Sequence, residues 1–181
     1  MLSIFRKEIN VFFSSLIGYM VIGTFLVLMG LILFVFPDYS LLNYPYATLD
    51  QLFRLAPLLF LFLIPAVTMR FIAEEQQQGT LEWLATKPVR RWSIVLGKYF
   101  AGIVLVLFAL IPTGLYYYTV YQLGSPVGNL DSGAIAGSYL GLFFLSAVFV
   151  AIGLFASALT RNQIVAFVLA VFFMFFCVLG L

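Results

Sequence analysis

Histidine is absent from the 181 residues, and cysteine occurs once, at Cys177. A single cysteine excludes an intrachain disulfide, and with no histidine and no second cysteine it has no partners for a metal site. Charge is scarce as well. Only 9% of the residues are Asp, Glu, Lys or Arg, against about 25% in a soluble domain. With 64% hydrophobic residues, the chain cannot coat a water-facing globule, and its class is integral membrane protein. No Walker A loop is present. The Gly97–Lys98 pair has Trp92 where that loop needs glycine, and Tyr99 follows where it needs Ser or Thr. Nucleophile elbow, metal cluster and nucleic-acid module are all missing. Ser146 and Ser157 have no histidine to activate them and read as small packing residues.

Strand-like alternation is missing too, which argues against an outer-membrane barrel. What is present instead is a series of long apolar runs. A helix needs about 20 apolar residues to cross the hydrocarbon core. Five segments qualify: 16–36, 55–73, 94–121, 133–159 and 163–181. The first is too long for a signal-peptide h-region and no cleavage site follows it, so it reads as a retained span. Arg6, Lys7, Arg70, Lys87, Arg90, Arg91, Lys98 and Arg161 fall on one side of this arrangement. Arg54 falls on the other, together with Asp38, Asp50 and Asp131. The positive-inside rule therefore predicts a cytoplasmic N-terminus and a multi-pass protein of the inner (cytoplasmic) membrane. The chain ends at Leu181 while still apolar and without a flanking anchor, which predicts a further span beyond it.

Residues 1–15 carry Leu2, Phe5, Ile9, Phe12 and Phe13 at helical spacing, continued by Leu16, with Ser3, Arg6, Lys7 and Asn10 on the other side. That pattern predicts an amphipathic helix lying in the interface before the chain turns into the first span. The outer loop from Pro37 to Arg54 is tyrosine-rich, and Tyr116, Tyr117, Tyr118 and Tyr121 crowd the outer end of the third span, as expected of an aromatic belt. Pro65 and Pro112 lie inside spans, where each removes a backbone hydrogen bond and favours a kink. Gly133, Gly137 and Gly141 recur four apart. Small residues at that spacing admit a close neighbouring helix, either a sibling span or a second copy across a dimer seam. No Asp, Glu or His lies in the core of a span, so no proton relay is available. Any transport would draw its energy from elsewhere.

Seven of the sixteen charged residues lie between Glu74 and Lys98. Gly79 breaks the helix that precedes it. Thr80 can cap a new one, and Glu82 in its first turn suits the positive dipole end. Leu81, Leu84, Ala85 and Pro88 keep one face apolar, Lys87 suits the last turn, and Pro88 ends the helix. The result is about two turns, roughly 12 Å long, too short to be stable without a surface to rest on. Arg90, Arg91 and Trp92 would anchor the following span at the interface, and Lys98 would snorkel back to it.

The string AEEQQQGTLEWLATKPVRRWSIVLGKY (73–99) resembles the intracellular segment of ABC-2-type transporter permeases. Their pattern E-E-x-x-x-G-T-x-E-x-L, then Pro and a basic or polar pair, then I-x-x-G-K, is carried here by Glu74, Glu75, Gly79, Thr80, Glu82, Leu84, Pro88, Ile94, Gly97 and Lys98. AIGLFASALTRNQIVAF (151–167) resembles the turn between that family's fourth and fifth spans, and IFRKEINVFF its interfacial helix. Within the family, YATLDQLFRLAP, IPAVTMRFIAEE and YQLGSPVGNLDSGAIAGSYLGLFFL are most similar to the gliding-motility-associated permease subunit of Bacteroidota. Gln76 and Gln77 stand where family members often have a basic pair. The resemblance implies an all-α helix bundle of the type V exporter kind: a single permease domain over 1–181 with one span more than the five read here. It implies a coupling segment over 74–93 that docks on a separate ATPase through Glu74, Glu75, Gly79, Thr80, Glu82, Leu84 and Pro88, with Arg6 and Lys7 as a second contact. It also implies that ATP and Mg sit on that ATPase, that this chain binds no cofactor and catalyses nothing, and that a second permease subunit completes a homo- or hetero-dimer. Lipid is the other partner, and no nucleic acid is involved. The alternative is a scaffold that anchors a motility or secretion complex and moves no substrate.

Overall fold

The computed structural model describes residues 2–36, 48–80, 91–124 and 130–180, and among them it contains helices and no strand. Helix α1 spans Leu2–Ser14, α2 Leu16–Phe34 and α3 Asp50–Gln77. Helix α4 spans Arg91–Leu110 and continues through a 3-10 turn, Ile111–Thr113, into α5, Gly114–Leu123. Helix α6 spans Ser132–Leu159 and α7 Gln163–Leu179.

Four helical segments are long and apolar enough to cross a membrane: Leu16–Phe34, Asp50–Gln77, Trp92–Leu123 and Ser132–Leu159. The fifth expected span falls on α7, which is apolar but, at 17 residues within the described part and about 26 Å at 1.5 Å per residue, is shorter than these four. Phe62, Phe144, Phe155, Phe172 and Phe176 are all more than half exposed. In water such a surface would aggregate, and in a bilayer it is the lipid face.

Helix α3 is the central element, packed against α2, α4, α6 and α7. Its buried side chains Leu52, Ala56, Phe60, Ile64, Val67 and Phe71 follow three- and four-residue steps, the spacing of one helix face. The helix continues through Pro57 and Pro65. At Pro112 the α-helical pattern gives way to the 3-10 turn. Thr113 Oγ1 lies 2.6 Å from Leu110 O and 3.2 Å from Tyr139 Oη, and Tyr139 Oη donates to Thr113 O at 3.3 Å. Polar groups released by the break are thus re-satisfied inside the bundle, as an apolar solvent demands.

Helices α3 and α6 run parallel and close. A Cβ built on Gly153 would lie 2.9 Å from Thr68 Cβ, so only glycine fits there. One turn on, Ser157 Oγ donates to Met69 O at 3.0 Å and accepts from Ile72 N and Ala73 N at 3.1 and 3.0 Å. Ser157 is therefore more than the small packing residue its sequence context indicates. Ser146 bonds only Phe143 O of its own helix.

Helix α1 lies along α4, with Phe13 and Phe108 ring centroids 5.0 Å apart. Ser3, Arg6 and Asn10 are exposed as expected, but the buried side chains are Ile4 and Glu8, while Leu2 and Leu16 are 79% and 70% exposed. The inward face is turned toward Glu8 because Glu8 has a partner in α4.

Candidate functional site

Glu8, Glu75 and Lys98 come from three different helices and meet in one buried cluster at the charged end of the bundle. Each position follows from helix spacing. Ile4, Glu8 and Phe12 share a face of α1, and Phe71 and Glu75 share the inner face of α3. Lys98 lies on the α4 stripe that continues through Ala101, Gly102 and Leu105, all buried. Lys98 Nζ donates to Glu8 Oε1 at 2.8 Å and to the Phe71 carbonyl, and lies 2.9 Å from Glu75 Oε2. The Glu75 Oε2 contact has ion-pair distance without hydrogen-bond geometry, since that oxygen has no hydrogen-bond partner. Lys7 Nζ donates to the other Glu75 oxygen, Oε1, at 2.6 Å and lies 3.8 Å from Glu8 Oε1. Two ammonium groups thus balance two carboxylates.

The Lys98 side chain is 1% exposed. It therefore does not reach back to the interface as an anchor would. Its ammonium donates to one carboxylate and one carbonyl, and a second carboxylate lies at ion-pair distance. Ions this far from water are expensive to desolvate, and such clusters hold only when mutually paired. Partial burial acts to lower the pKa of Lys7. The Glu75 hydrogen bond and charge, with Glu8 and Glu74 adding to them, outweigh that effect and hold it above its ordinary value of 10.5.

A second pairing lies one residue earlier on α3. Arg70 Nε donates to Glu74 Oε2 at 2.9 Å, an i,i+4 pair, and Arg70 Nη1 donates to Ser15 Oγ at 3.1 Å, at the junction of α1 and α2. Gln78 Nε2 donates to Glu74 Oε1 at 3.3 Å. Helix α3 runs to Gln77, so Glu74 and Glu75 occupy its last turns, whereas the sequence placed them in the coupling segment.

Of the residues expected to meet an ATPase, Glu74 and Glu75 are held inside the chain by these pairs. Gly79 and Thr80 are exposed. Gly79 has φ +68°, the left-handed geometry in which glycine commonly ends a helix. Thr80 Oγ1 donates to Glu75 O at 3.3 Å. Glu82, Leu84, Pro88 and Arg90 lie outside the described residues. Arg6 is exposed, Trp92 is 77% exposed, and Arg91 begins α4. Gly133, Gly137 and Gly141 are all exposed, and no sibling span lies within 4 Å of a Cβ built on any of them.

Sequence reasoning missed Glu8 and the pairing of Arg70. Glu8 does carry a signal: a lone carboxylate between Ile4 and Phe12 interrupts an apolar stripe, and a charge in a stripe that packs needs a counter-charge. Among the described residues, no group of three or more His, Cys, Asp or Glu could hold a metal ion. The cluster fastens three helices together beside Gly79.

A family model described as ABC-2 family transporter protein matches residues 2–181. No curated protein and no solved structure matches the chain.

Proposed function

This chain belongs to the ABC-2 transporter family, and from that premise we propose that it is the non-catalytic, membrane-spanning permease subunit of an ATP-binding-cassette transporter. The observation that carries the proposal is the family match over 2–181 in a chain with no Walker A loop of its own. A separate ATPase subunit binds ATP and Mg and docks on the cytoplasmic segment 74–93, with Gly79, Thr80, Glu82, Leu84 and Pro88 at the contact. Glu74 and Glu75 act on the inner side of that contact. Glu75 ties the last turns of α3 to Lys7 of α1 and Lys98 of α4, while Glu74 holds Arg70 of its own helix, so displacement of the segment is passed through Glu75 to three helices together.

A second permease subunit completes the assembly in the inner membrane. The exposed stripe Gly133, Gly137 and Gly141 supports a seam on α6, since small residues let helices approach closely in lipid. A role in gliding motility or its secretion machinery rests on the likeness of the strings 46–57, 64–75 and 121–145 alone.

The test is co-purification of the chain with its cognate ATPase, wild type against Glu82→Arg plus Leu84→Asp. The variant is expected to lose the ATPase and the stimulation of its hydrolysis. Unchanged binding and stimulation would overturn the docking assignment. ATP-dependent flux in reconstituted vesicles separates a permease from a scaffold, which would bind the ATPase and move nothing.

A further inference from the structure

The span made of α4 and α5 has a break at its middle and an open groove beside the break. The break is the 3-10 turn Ile111–Thr113, where Pro112 has no N–H to give the helical ladder. A 3-10 stretch inside a long helix marks a place where the rod can bend. Gly114 follows it, exposed and with nothing within 4 Å of a Cβ built on it. Beyond the turn α5 is 10 residues long, a lever of about 15 Å. Toward α6 the turn borders a groove of about 620 Å³, with Leu110, Ile111 and Gly114 on one wall and Ala136, Leu140 and Phe143 on the other. Gly114 and Ala136 are small, so the two helices have room to close on each other there.

Little holds the lever where it lies. Tyr116 Oη donates to Leu26 O of α2 at 3.2 Å, and the Tyr116 ring packs edge-on against Phe34 with centroids 5.6 Å apart. Gly30 makes room for the hydroxyl, since a Cβ there would lie 3.2 Å from it. Val120 is the buried side chain of α5. In lipid, moving it from helix contact to acyl chains carries no hydrophobic penalty, because the tails are as apolar as the bundle. The latch is therefore one hydrogen bond and some packing. The pivot itself is pinned more firmly. Thr113 is fully buried, bonded to Leu110 O within the turn and to Tyr139 of α6 through both its hydroxyl and its carbonyl.

We propose that α5 is a two-position arm. It pivots at Ile111–Thr113 between the position seen here, latched to α2 by Tyr116, and one in which it leans over the groove and packs against α6. The arm opens and closes the outer end of the bundle while α3 and α6, fastened through Gly153 and Ser157, stay fixed. A pivot of about 20°, the size of a proline kink, moves the far end of α5 by about 5 Å. The device is built into this chain's own fold and does not depend on an ATPase being bound.

The experiment uses the full chain in nanodiscs, carrying Cys177→Ser and spin labels on cysteines placed at Leu123, the far end of α5, and at Phe144 of α6, both exposed. Labelled chain is diluted with unlabelled chain, so that distances within one chain are read. Double electron–electron resonance is expected to give two distances about 5 Å apart. Tyr116→Phe keeps the ring and removes the latch bond. The ratio of the shorter distance to the longer should then rise about threefold, the worth of one interhelical hydrogen bond in lipid. Ala136→Leu fills the groove from an exposed position and should remove the shorter distance. Both variants are expected to fold, which gel filtration and circular dichroism check. A control pair at exposed Phe62 of α3 and Phe144 should give one distance, the same in every variant. A Leu123–Phe144 distribution that neither substitution changes would overturn the arm. Equal changes in the control pair would also overturn it, since the whole bundle would then be loosening.

Discussion

Lys98 Nζ lies 2.8 Å from Glu8 Oε1, joining residues ninety positions apart in a site where the lysine is 1% exposed. Removing one partner of a buried pair leaves an uncompensated charge, which costs about 3–5 kcal/mol, whereas replacing the whole set by neutral groups is often tolerated. Lys98→Met is therefore expected to destabilise by that order, since it abandons Glu8 and Glu75 together. Lys98→Met combined with Glu8→Gln and Glu75→Gln should recover most of the loss. Thermal unfolding in detergent measures both. A triple variant no more stable than Lys98→Met alone would show that the pairing is not what holds the cluster.

Lys7 should matter far less at neutral pH. Its side chain is 49% exposed, and exposed pairs contribute about 0–1 kcal/mol. Its pKa is held above 10.5 in the folded chain, so the folded state binds this proton more tightly than the unfolded state. The contribution is complete below 10.5 and fades as pH rises through the higher folded value. The stability difference between wild type and Lys7→Met is thus expected to shrink in alkali. A difference that stays flat from pH 9 upward, read by unfolding at stepped pH, would contradict the Lys7–Glu75 assignment.

Two serines of α6 that look alike in sequence should separate cleanly. Ser157→Ala removes bonds to three backbone groups of α3 and is expected to cost about 1–3 kcal/mol. Ser146→Ala loses a bond to its own helix only and should lie within about 0.5 kcal/mol of wild type. Hydrogen exchange at Ile72 and Ala73 gives a residue-level reading, faster in the first variant and unchanged in the second.

The difference between these serines also marks how far the sequence could be read. Composition and the length of apolar runs suffice for the class and for the spans carried by α2, α3, α4–α5 and α6, because the bilayer fixes helix length independently of tertiary contacts. Pro112 announces the 3-10 turn, and Gly79 the end of α3. At Pro65 the helix continues. The cluster is only half legible. Glu75 and Lys98 stand out as motif residues, but which way each side chain points depends on where α1 lies, and that is set by a contact spanning ninety positions. Helical period places Lys98 on a stripe with Gly102 and Leu105. It does not say that the stripe is covered by Glu8, so the snorkelling expectation follows naturally from the sequence and fails in the structure.

The glycines of α6 fall into two classes that substitution should distinguish. A Cβ on Gly153 would overlap Thr68, which is fully buried against it. Gly153→Ala therefore forces α3 and α6 apart and is expected to cost about 1–3 kcal/mol. Gly137 and Gly141 face open space, with nothing within 4 Å of a Cβ. Replacing them with leucine should leave the unfolding of the single chain unchanged. If their face is the dimer seam, the same pair of substitutions blocks close approach of a second helix. The variant should then show little inter-subunit disulfide crosslinking from a cysteine placed at exposed Leu140, with Cys177 replaced by serine in every chain. Crosslinking at the wild-type level in the leucine variant would remove α6 from the seam and leave the exposed glycines as lipid contacts.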